Sequence, residues 1–75
     1  MTLHEAIITV LRANKNQPMP YNEIAANINE KQLFVRPSDN SPVQAFQIRL
    51  RTLVSKSYKH HFIVKDDKVK LAEYP

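Results

Sequence analysis

Apolar and polar positions along this chain follow two periods, helical over the first two thirds and strand-like near the end. Leu3, Ala6, Ile7, Val10 and Leu11 form one stripe at helical spacing, which predicts a helix over about Leu3 to Ala13. Thr2 reads as its N-cap, with Glu5 three residues on completing a capping box. Asn14-Lys15-Asn16-Gln17 ends the helix, and Pro18 and Pro20 bar its continuation. Pro18-Met19-Pro20 reads as an extended piece, a short strand. A second helix is predicted over about Asn22 to Lys31, with Ile24, Ala25 and Ile28 turned inward and Leu33-Phe34 closing that side. Val35 to Asn40 reads as a loop, since Asp39-Asn40 favours a turn.

The third helix carries a start signal of its own. Ser41 suits the N-cap, Pro42 the first helical position, and Gln44 the partner of a second capping box. The helix is predicted to run to about Ser57. On it Val43, Phe46, Leu50, Leu53 and Val54 share one sector, the expected core face. Gln44, Ile48, Arg51 and Ser55 cluster on another face, and Arg49 and Lys56 point a third way. Ile48 lies off the core sector, so it either packs on the second helix or is exposed. Farther on, Phe62-Ile63-Val64 and Val69-Lys70-Leu71 flank Lys65-Asp66-Asp67-Lys68, which predicts a hairpin with an acidic turn. In its second arm Val69 and Leu71 alternate with Lys68 and Lys70, giving one buried and one cationic face. Helix, extended piece, helix, loop, helix, hairpin is the order of a winged helix-turn-helix. The expected fold is mainly α with a small β-hairpin, residues 1–75 forming one domain, steadied by a third strand near Met19.

Composition narrows the functional classes. The 75 residues contain no cysteine and no glycine. Disulfides and thiolate metal sites are excluded by the first absence. Walker loops and dinucleotide fingerprints are excluded by the second, because both need glycine where backbone approaches phosphate. A hydrophobic fraction of 43% is normal for a globular domain, not a disordered one. No apolar run approaches the about 18 residues of a membrane span. Met1 to Glu5 lacks the basic start and apolar stretch of a signal peptide, and the lack of cysteine fits a cytoplasmic or nuclear compartment, nucleoid-associated in a bacterium. His60 and His61, adjacent on a strand, would face opposite ways and could not readily hold one metal ion; His4 stands alone. Asp66-Asp67 reads as a solvated turn, and no serine has an evident histidine and acid partner. No catalysis, cofactor or metal is expected.

Charge points to a polyanion. Residues 1–48 balance Arg12, Lys15, Lys31 and Arg36 against Glu5, Glu23, Glu30 and Asp39. The net charge of +4 therefore resides in residues 49–75, where Arg49, Arg51, Lys56, Lys59, Lys65, Lys68 and Lys70 face only Asp66, Asp67 and Glu73. In a helix-turn-helix the second helix of the motif enters the major groove. That assigns Ser41 at the helix start to a phosphate, Gln44 and Gln47 to adenine edges, and Arg51 to guanine or phosphate. Arg36, Lys65, Lys68 and Lys70 would meet the backbone from the loop and the wing. Duplex DNA is the expected partner. RNA is not expected, because Phe34, Phe46 and Phe62 are all assigned to the core and leave no stacking platform. The alternative is a protein-interaction or assembly module, or a homodimer, using an exposed Ile48.

The residues Ala6, Val10-Leu11, Gln17-Pro18-Met19-Pro20-Tyr21-Asn22-Glu23-Ile24-Ala25, Leu33-Phe34, Ser41-Pro42-Val43 and Phe62 resemble the HARE-HTH family. This is a winged-helix module of restriction endonucleases, of the delta subunit of bacterial RNA polymerase and of ASX-like chromatin proteins. Asp39-Asn40-Ser41-Pro42-Val43, Gln47-Ile48, Arg51 and Tyr58-Lys59-His60-His61-Phe62 are most similar to the restriction-associated branch. Asn40 stands where that branch has glycine, and Lys59 where it has proline; asparagine tolerates the left-handed backbone the glycine would supply. The resemblance spans Thr2 to about Leu71. It implies a winged-helix fold associated with transcription or restriction-modification machinery, the nuclease being a separate domain.

Overall fold

The computed structural model describes residues 2–34, 42–54 and 59–72. Helix α1 runs from Leu3 to Ala13, and its capping box forms as expected. The Glu5 amide donates to the Thr2 hydroxyl at 3.1 Å, and the Thr2 amide donates to the Glu5 carboxylate at 3.3 Å. Strand β1 is Met19–Pro20 and helix α2 is Tyr21–Glu30. Both helices end in the same device. Lys15 and Gln32 take left-handed backbone (φ 55° and 52°), where a helix end ordinarily has glycine. Their amides bond Arg12 and Asn29, and the following amides of Asn16 and Leu33 reach back to Leu11 and Ile28. A chain without glycine thus completes two Schellman turns with long polar side chains.

Strands β2 (Phe62–Lys65) and β3 (Lys68–Leu71) form the wing hairpin. Asp66 and Asp67 both have positive φ (54° and 60°), the backbone of the two-residue turn whose twist suits a hairpin. β3 lies between β1 and β2, all antiparallel, with Met19 opposite Val69 and Val64 opposite Val69 on the other side. Asn16 extends that pairing past the end of β1. Its side chain accepts from the Leu71 amide at 2.6 Å and donates to the Leu71 carbonyl at 3.2 Å. The core joins Ile7, Val10 and Leu11 of α1, Ile24 and Ile28 of α2, and Val69 and Leu71 of β3, and Leu33 and Phe34 pack on its margin. Three helices with a small three-stranded sheet make a winged helix-turn-helix.

The third helix departs from expectation. Helix α3 spans only Ala45–Arg49, and a π-helical turn, Leu50–Val54, continues it. Pro42, Val43 and Gln44 are not helical, so the predicted start is three residues too early. Asn29 near the end of α2 is the cause. Its side-chain oxygen accepts from the Val43 amide at 2.8 Å, and its amide donates to the Val43 carbonyl at 3.0 Å. Both backbone groups of Val43 are thereby held by one side chain. Val43 is still buried, but no longer on the helix that follows it.

The inward face changes accordingly. Ile48, with no exposure, and Thr52 face the core. Thr52 satisfies its hydroxyl on the Ile48 carbonyl at 2.9 Å. Phe46, Leu50, Leu53 and Val54, expected inside, are exposed by 61, 46, 44 and 54%. Ile48 takes the first of the two places open to it and packs inside. The histidine geometry also differs, since Lys59–His61 is a 3₁₀ turn and not part of a strand.

Candidate nucleic-acid interface

Two surfaces hold the candidate binding residues, and each is built by a different element. On the hairpin, period-two alternation sends Phe62, Val69 and Leu71 inward. Ile63, Lys65, Lys68 and Lys70 are thereby left on the outer face, where with Pro18 and Asp66 they line one shallow cleft. The register sets Lys65 directly opposite Lys68 and Lys70 opposite Ile63. Like charges facing across strands are unfavourable on their own. A bound anion would reverse that sign.

At the third helix, Gln44 is exposed and is itself the N-cap, with Gln47 as its capping-box partner. Gln47 is half-buried, and its side-chain oxygen accepts from the Gln44 amide at 2.8 Å. That bond uses the acceptor that would read an adenine amino group, so Gln47 holds the helix start. Arg51 is exposed, but it lies toward α1. It lines a groove with Leu3, and its charge acts on His4. The half-buried His4 ring sits edge-on to His61 and Phe62, at centroid distances of 5.1 and 5.5 Å. Burial first, then the His61 and Arg51 charges, hold its pKa below the usual 6.5, with Glu5 opposing.

Arg49 is not among the residues that the sequence assigns to the interface. Its spacing predicts a solvated charge that points away from the binding face. It is exposed, and its charge acts on Tyr21 in opposition to that of Asp67. Burial is the main cause that raises the Tyr21 hydroxyl pKa, Asp67 raises it further, and Arg49 lowers it. Its place follows from the burial of Ile48: Arg49 is one residue on, about a quarter-turn round the helix from the inward face.

The structure thus brings Lys65, Lys68 and Lys70 together and keeps Arg51 apart from them. The clefts containing Arg51 and the lysines share no residue. Arg36 and Ser41 lie outside the described residues. Phe62 is buried and Phe34 half-buried, but Phe46 is exposed, so one of the three aromatics assigned to the core is not in it.

No helix among the described residues is long and apolar enough to cross a membrane. Among known families, the HARE-HTH model, described as a helix-turn-helix domain of ASXL proteins and restriction endonucleases, matches residues 1–52. No curated protein and no solved structure matches the chain.

Proposed function

The chain belongs to the HARE-HTH family, a helix-turn-helix family that is generally DNA-binding and not catalytic, and from that premise we propose that residues 1–75 act as one duplex-binding module. The third helix enters the major groove with Gln44 and Arg49 toward the bases, and the wing lysines meet the phosphate backbone. The observation that carries this reading is the lysine face of the hairpin. Lys65 and Lys68 face each other with Lys70 beside them, an arrangement that a phosphate backbone relieves. A module of this kind brings transcription or restriction-modification machinery to DNA while the chemistry resides elsewhere.

Fluorescence anisotropy of a labelled mixed-sequence duplex tests it. Binding is expected at low salt, weakening as salt rises with the number of phosphates neutralised. Replacing Lys65, Lys68 and Lys70 together by alanine is expected to weaken binding and flatten the salt dependence. Absence of binding at low salt refutes the reading.

A second reading, a protein-binding module, has its own observation. That observation is the exposed flank of Phe46, Leu50, Leu53 and Val54, and no longer Ile48. An apolar flank gains nothing from a phosphate backbone.

A further inference from the structure

Four large apolar side chains project from one short stretch, Phe46 to Val54. Exposed apolar side chains clustered in this way are a mark of an interaction site. Phe46, Leu50 and Val54 line a groove of about 380 Å³, whose other wall is Leu3 of α1. That volume lies within the range of clefts that take a ligand's apolar anchors. The exposed flank is also fixed in place. Val43 is clamped by Asn29, Thr52 is bonded to Ile48, and the π turn that carries Leu50, Leu53 and Val54 is a geometry frequent at functional sites.

Charge decides between occupants. Arg51 lines the groove, and Arg49 stands exposed on the same helix. None of the groove's lining residues among those described is acidic, and the chain carries +4 overall. An isologous dimer requires a patch that complements itself. Two copies joined here would bring cations and like net charge together. An apolar strip flanked by carboxylates complements the patch in both respects.

We propose that this flank of the third helix is a docking groove for an amphipathic helix of another protein, with apolar anchors on one face and acidic residues beside them. The mode is helix-in-groove, with anchors at successive turns of the guest entering between Leu3 and the line of Phe46, Leu50 and Val54. The proposal rests on the second reading above, protein binding, and does not depend on duplex binding.

The test uses a synthetic, fluorescein-labelled amphipathic peptide with leucines on one face and glutamates flanking them. Its control is the same peptide with lysine for each glutamate. The glutamate peptide is expected to bind at least about tenfold more tightly at low salt. Leu50→Glu is expected to abolish binding, and exchanging Arg49 and Arg51 for glutamate to reverse the preference. Leu50 is half-exposed, so its variant is expected to keep the parent's circular dichroism melt; Val54→Glu serves if it does not. Equal binding of both peptides overturns the acidic partner while leaving protein binding standing. Binding of neither peptide overturns both. Sedimentation that shows a dimer dissolved by Leu50→Glu also overturns the proposal, because the occupant is then a second copy.

Discussion

Replacing Ile48 by alanine tests how the third helix is turned. Ile48 has no exposure, and its neighbours on the inward face are Thr52 and the residues of α2. Truncating a fully buried isoleucine costs about 2–5 kcal/mol, the lost transfer energy plus the cavity left behind. A domain of this length holds only about 4–11 kcal/mol in all. Each kcal/mol moves the melting temperature of so small a domain by about 4–8 °C. Ile48→Ala is therefore expected to lower Tm by about 10 °C or more. Leu50→Ala should do far less. Leu50 already has 46% of its surface in water, so at most about 1 kcal/mol is at stake. Phe46→Ala, at 61% exposure, follows Leu50. Thermal and urea unfolding, followed by circular dichroism, measure all three. Helical periodicity read from Val43 predicts the reverse ranking. If Leu50→Ala or Phe46→Ala costs as much as Ile48→Ala, the helix is turned the other way and the exposed flank does not exist.

Other consequences follow from the same contacts. Asn29→Ala removes both bonds to Val43 and is expected to cost about 1–3 kcal/mol, seen as a lower urea midpoint, whereas exposed Asn22→Ala is expected to cost little. Gln32→Gly is expected to raise Tm, since glycine meets the left-handed backbone there without steric cost; a fall in Tm would contradict the Schellman turn. His4 has a folded pKa below its ordinary 6.5, so the unfolded chain binds the proton more readily. Its contribution is therefore fully favourable above about pH 6.5, and stability falls as pH drops through the window between 6.5 and the folded value. His4→Gln should flatten that part of a Tm-versus-pH curve, and an unchanged slope would show that another group is responsible. Arg49→Ala is expected to weaken duplex binding more than Arg51→Ala, measured by anisotropy, because Arg51 lies in the groove against α1, apart from the wing lysines.

The parts of the fold governed by local chemistry were legible. The capping box of α1, its stripe from Leu3 to Leu11, the proline-flanked β1 and the hairpin around Asp66-Asp67 each depend on residues a few positions apart. The third helix was not legible, because its register is set by a contact fourteen residues back. Asn29 has no signature in sequence that marks it as the partner of Val43. Once that pair forms, counting from Val43 selects the wrong face, and the π turn shifts the count again after Arg49. The wing lysines were readable from simple alternation. Arg49 was not, because its place depends on which face Ile48 buries.

The most direct test of duplex binding through the third helix and wing is a ¹⁵N–¹H correlation titration of the labelled chain with a short mixed-sequence duplex. The account predicts amide shifts concentrated in Gln44 to Arg49 and Lys65 to Lys70, with the α1 stripe from Ala6 to Leu11 unmoved. Shifts confined to α1, or none at low salt, would contradict it.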